Sequence, residues 1–249
     1  MKRVNCGIPS ASAVHLMVGL AVALVVGCDA SPQTKTTDQA RLDQIALVFE
    51  SGRTVDAISQ LHAYLSDHPT DDLGWTILGN AYIENDQLDE AIKSFKTALR
   101  HNPDRYQAVS GQGIIHRKRG EYEDAMASYR AAIKIDPSYA EAYSSMTVVA
   151  LKLGQDEDAL KFAMQGYELE GDHAGIAANL AVAYHYNNDT ANRDRMTVIA
   201  DNLGYDKVAT LQQIYSGELS IRDGDKTAAG SSEKSKQEMR ETKGESPSP

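Results

Sequence analysis

Apolar residues in the middle of the chain fall into short blocks with helical spacing, and the blocks themselves repeat. Ala57, Ala91, Ala125 and Ala159 stand 34 residues apart, and Pro69, Pro103 and Pro137 run alongside with the same step. A third row, Gly52, Asp86, Gly120, Gly154 and Asn188, keeps the register. These residue types tolerate the left-handed conformation that ends a helix, which puts each in the turn inside one unit. A period of this length predicts an all-α solenoid of stacked helix-turn-helix units that bury a shared core. The predicted units are 38–71, 72–105, 106–139, 140–173 and 174–207. After Gly204, Val208, Leu211 and Tyr215 at helical spacing predict a capping helix over 206–216 with one wet face. Residues 217–249 are rich in Ser, Lys, Glu, Gly and Pro and have too few apolar side chains to offset ordering, so this tail is expected to be disordered.

The second unit carries the fullest pattern: Trp75, Leu78-Gly79, Tyr82, Ala91, Phe95, Ala98 and Pro103. In these residues and spacings it resembles the tetratricopeptide repeat (TPR). The third unit keeps Gly113, Ala125, Tyr129, Ala132 and Pro137, and the fourth keeps Tyr143 and Ala159 with Gly171 in place of proline. The resemblance implies a right-handed solenoid of about five repeats. Two departures carry expectations of their own. Ile45 replaces a small residue in the first unit and implies looser packing of its helices, and Arg193 replaces the comb alanine in the fifth and implies the same there.

The amino-terminal segment reads differently. Lys2 and Arg3 precede an apolar run from Ala13 to Val26, too short to span a membrane and ending at Val25-Val26-Gly27-Cys28. This end resembles the lipobox of bacterial lipoproteins, which implies a signal peptide over 1–27 and lipidation of Cys28, with several acyl chains giving durable attachment. Residues 28–37 are expected to form a polar tether. The aspartate at Asp29 resembles an inner-membrane retention signal, so a periplasm-facing protein leaning towards the inner membrane is expected, with the outer membrane as the alternative.

The net charge of -10 disfavours nucleic acid as a partner. Much of the acidity, including Asp56, Asp89, Glu90, Glu123, Asp124, Glu157 and Asp158, falls where second helices begin and amide dipoles favour negative charge. Both cysteines, Cys6 and Cys28, precede the repeats, which leaves no thiol chemistry inside them. No phosphate loop or paired acid and base appears, and His62 and His68 lack the spacing of a metal pair. His116 takes the place of a repeat-core aromatic and reads as a packed histidine. We therefore expect no enzyme, metal or cofactor.

The TPR resemblance implies that first helices line a concave wall that receives a partner. Carried onto this chain, its phases give Asn80, Ile83, Ile114, Arg117, Lys118, Val148, Leu151 and Val182, an aliphatic strip with a polar border suited to a peptide or amphipathic helix. Arg117-Lys118-Arg119 admits two readings: a clamp for a partner carboxylate, or cations favourable at a helix C-terminus. The family's clamp for chaperone tails is absent, since only Asn80 of its five positions matches. The expected function is a membrane-anchored scaffold that binds a protein segment of an envelope complex, with a likeness in architecture to lipoproteins of pilus assembly. An enzyme subunit with an unrecognised site and a self-associating solenoid are the alternatives.

Overall fold

A computed structural model of the 249-residue chain describes residues 32–222. The chain divides into two units, Met1–Gln39 and Ala40–Pro249. The expected signal peptide, Cys28 and all positions beyond Arg222 lie outside the described residues. Helix α1 (Pro32–Glu50) takes in the last residues of the stretch expected to form a tether through Thr37. A proline fits the opening of a helix because its missing N–H is not needed there.

Among the described residues every regular element is an α-helix. α2 (Thr54–Asp67) follows α1; then come α3 (Asp72–Glu84) and α4 (Leu88–His101), α5 (Tyr106–Lys118) and α6 (Tyr122–Ile135), α7 (Ala140–Lys152) and α8 (Asp156–Leu169), α9 (Ala174–Tyr186) and α10 (Thr190–Asn202), and last α11 (Val208–Tyr215). From α2 onward each helix packs on its sequence neighbour, and α3, α5, α7 and α9 also pack on one another in succession. No helix among the described residues is long and apolar enough to cross a membrane.

The sequence rows have distinct physical jobs. The comb alanines Ala57, Ala91, Ala125 and Ala159 are fully buried near the starts of α2, α4, α6 and α8, where a larger side chain would hold the paired helices apart. Gly52, Asp86, Gly120, Gly154 and Asn188 all have positive φ, between 57° and 79°. Each lets the chain reverse so that the next N–H donates to a carbonyl five residues back, as in Glu121 N to His116 O at 2.9 Å and Gln155 N to Ala150 O at 2.9 Å. We expect Gly120→Ala to cost about 1 kcal/mol through the left-handed backbone alone, because open space surrounds that position. Thermal unfolding should show a drop of about 2–4 °C.

The two weak units are better packed than their sequences suggest. Ile45 is buried with Leu42 and Val48 against Ala57 and Leu61, so the looser first unit is not seen. Arg193 does not loosen the fifth unit either. Its guanidinium lies 4.8 Å from the ring centre of Tyr215 in α11, and Met196, Thr197 and Ala200 beside it on α10 are buried. A cation over an aromatic face holds the capping helix where an alanine would reach nothing.

Polar side chains tie the end of the second unit back to its start. The guanidinium of Arg105 and the side-chain amide of Asn102 both donate to Asp72 Oδ2 at the start of α3. Burial pushes the Asp72 carboxyl up, but the bonds from Arg105 and Asn102 outweigh it and hold the group below its usual range. A carboxyl depressed in the folded state adds stability above its unfolded pKa, and that stability is lost as pH falls through the folded value. The difference in Tm between the native chain and Arg105→Met should therefore be largest near neutrality and shrink below about pH 4.

Candidate functional site

The wall expected from the TPR resemblance is formed by α3, α5, α7 and α9, and the structure divides its residues into two groups. Ile83, Leu151 and Val182 are only 3%, 1% and 5% exposed, so three of the five aliphatics expected on an open strip belong to the core. Ile83 packs with Phe95 and Ile115, whereas Leu151 and Val182 join the cluster closed by α11. Each lies where its helix meets the next unit, and that neighbour covers it. Asn80, Ile114, Arg117 and Val148 remain half-buried and reachable, and Ile114 bridges two adjacent core clusters.

The basic run also divides. Lys118 Nζ lies 3.6 Å from Asp86 Oδ1 and donates to Ile83 O at 3.4 Å, and Arg119 Nη2 lies 3.0 Å from Asp89 Oδ1. Both side chains reach back to the turn of the preceding unit, so the two readings of the cluster fall to different residues. Lys118 and Arg119 link repeats; Arg117 pairs with no carboxylate among the described residues. Arg117 Nε is buried without a hydrogen-bond partner, as is the hydroxyl of Tyr129. Burial pushes the Tyr129 phenol up, while the Arg117 guanidinium and the Ser145 hydroxyl lie close enough to oppose the shift, though neither closes a well-formed hydrogen bond on it. Arg117, Tyr129 and Ser145 thus meet at one place, with Ile114 one turn before Arg117 and Val148 one turn after Ser145. A guanidinium without a carboxylate, beside two half-buried aliphatics, can receive a carboxylate and an apolar side chain of a second chain.

His116 is half-buried rather than packed in the core, and its Nδ1 lies 2.6 Å from Glu121 Oε2. His116, Glu121 and Asp124 are close enough together to hold a metal ion. Two exposed carboxylates at the start of α6 have an ordinary reason in the helix dipole, so this trio supports no metal assignment.

Sequence reasoning missed the clefts on the opposite face. One of about 610 Å³ lies between α8 and α10 over α9, with Leu180, Tyr184, Met196 and Ile199 among its walls and Met164, 51% exposed, at its rim. A smaller one of about 260 Å³, lined by His62, Trp75, Leu78 and Tyr82, occupies the corresponding place over α3. Tyr82 and Tyr184 are one residue type at one phase of the repeat, and that phase was the available signal.

Helix pairing, the positive-φ row and the buried comb alanines define the class: an all-α, TPR-type solenoid. Residues 76–140 match the family model described as Tetratricopeptide repeat. Among solved structures, TTC0263, a thermophilic TPR protein of Thermus thermophilus, is similar with a TM-score of 0.62 at 19% identity, over 72% of this chain and 97% of that one. PilF of Pseudomonas aeruginosa is similar with a TM-score of 0.60 at 14% identity, over 86% of this chain and 95% of that one. At these identities the likeness is one of fold. No curated protein matches the sequence.

Proposed function

We propose that this protein is a non-enzymatic interaction scaffold that docks a segment of a partner protein along α3, α5 and α7, with Asn80, Ile114, Arg117 and Val148 as the contact residues. The observation that carries the reading is Arg117, a half-buried guanidinium with no carboxylate of its own among the described residues. The favoured partner is a peptide or amphipathic helix with an apolar face and an acidic side chain. On the sequence grounds of the lipobox-like motif at Cys28, the scaffold is lipid-anchored in a bacterial envelope and faces the periplasm, on the inner membrane by the reading of Asp29. Anchor plus repeats suits the assembly of a pilus or secretion complex, and the likeness in fold to PilF is consistent with that choice.

The test is capture of partners from solubilised membranes with the native chain and with Arg117→Glu plus Val148→Glu. Both replaced side chains are half-buried, and circular dichroism melting checks that the fold is retained. Loss of the native partner set is the expected result, and an unchanged set removes the wall as the docking face. The apolar cleft beside Met164 favours a second reading in which the partner docks between α8 and α10. Met164→Glu, at an exposed position, separates the two, because it should leave capture intact if the partner uses the wall.

A further inference from the structure

Beyond α11 the chain turns back onto the ends of α7 and α9. α11 is followed by Gly217, whose φ of 76° turns the backbone, and Leu219 N donates to Gln213 O at 3.0 Å. The next three residues run past the ends of α9 and α7, so the first residues of the stretch expected to be disordered lie against the array, and the rest of that stretch lies outside the described residues. Ile221 packs against the cluster that contains Leu151 and Val182. Lys152 Nζ donates to Ile221 O at 3.4 Å. Arg222 Nη2 lies 2.6 Å from both carboxylate oxygens of Asp156, and its guanidinium carbon sits 4.1 Å from the ring centre of Tyr186. Asn187 Nδ2 donates to Asp156 O at 2.8 Å and steadies the backbone beneath the carboxylate. An apolar side chain laid against a core, a backbone carbonyl held by a lysine and a guanidinium held by a carboxylate and an aromatic face are the elements by which a solenoid reads a short extended segment.

We infer that Lys152, Asp156 and Tyr186, with the apolar cluster behind them, form a peptide subsite selective for an aliphatic residue followed by arginine, and that Ile221-Arg222 is its resident, displaceable occupant. Deepening the proposed function, the inference rests on the array being a protein-docking surface. The occupancy is weakly held. One aliphatic and one stacked arginine must offset the ordering of residues 218–222, which leaves little surplus. Attachment to the chain compensates, because a tethered ligand acts at an effective concentration in the millimolar range. A partner segment with the same aliphatic-arginine chemistry competes for the subsite, and winning it frees the chain from Leu219 onward.

The probe is a capped, fluorescent peptide with the sequence of residues 219–223, Leu-Ser-Ile-Arg-Asp, titrated into the full chain. Arg222→Ala should bind it at least tenfold more tightly than the native chain, and adding Asp156→Ala to that variant should abolish the gain. Equal binding by native and Arg222→Ala chains, or no binding by a folded Arg222→Ala chain, overturns the inference. Hydrogen exchange on the native chain provides a measurement that needs no variant. Millimolar peptide should speed exchange of the Leu219 amide, and unchanged exchange counts against displacement. If the peptide fails while Arg117→Glu plus Val148→Glu still loses the partner set, only the subsite falls; the converse result removes the wall and leaves the subsite.

Discussion

Replacing Phe95 with alanine is expected to lower stability by about 3–5 kcal/mol, the largest loss from a single side chain in this array. Phe95 is fully buried and belongs to α4, but its ring is shared between two units. A Cβ built on Gly79, in the same unit, would lie 2.5 Å from the ring, and one on Gly111, in the next unit, would lie closer still. The ring therefore fills a slot cut by two glycines, and removing it empties contacts within a unit and between units together. In a solenoid the stability is close to a sum of unit and neighbour-interface contributions, so a residue that serves both is unusually costly to lose. The slot makes a sharper prediction about coupling. Gly111→Ala should destabilise the native chain by about 1–3 kcal/mol through overpacking and should cost much less in the Phe95→Ala background, where the ring it collides with is gone. Urea unfolding of the four chains measures the difference. Strictly additive effects would show that the ring and Gly111 do not share the slot.

The sequence made this packing legible because the solenoid repeats its solutions. The row from Gly52 to Asn188 is readable as turns since few residue types accept a positive φ, and Asp86 and Asn188 take that conformation beside three glycines. Gly79 and Gly113 are readable as repeat positions for a different reason, because the rings of Phe95 and Tyr129 leave no room there for a Cβ. The wall was harder to read. A repeat phase fixes which helix face a side chain occupies, but not how far the following unit covers it. Val148 and Val182 hold the same phase one unit apart, yet the first is half-buried and reachable while the second is core beneath the capping helix. The docking of Ile221 and Arg222 left no periodic trace, because it joins residues 66 and 69 positions apart through pairings used once. Arg193 misled in the same way: its partner Tyr215 lies in the capping helix, where the comb no longer applies.

Exchanging Cys28 for serine is expected to move the protein from the membrane pellet to the soluble fraction almost completely, if the proposed lipid anchor is its means of attachment. None of the described helices offers a membrane-spanning alternative. The surface offers little electrostatic help, because a net charge of -10 is repelled by anionic lipid headgroups. Under the proposed anchor, attachment falls to acyl chains, each buried methylene contributing about 0.8 kcal/mol. One chain gives only reversible binding, whereas the set of chains implied by the lipobox resemblance holds a protein for far longer than a fractionation takes. Serine removes the thiol on which the diacylglyceryl thioether is built and leaves the preceding apolar run unchanged, so export and anchoring are separated in one variant. Radiolabelled palmitate should enter the native product and not Cys28→Ser. A native chain that takes up no label, or a serine variant that stays in the pellet after a carbonate wash, would show that something other than this cysteine holds the solenoid to the membrane.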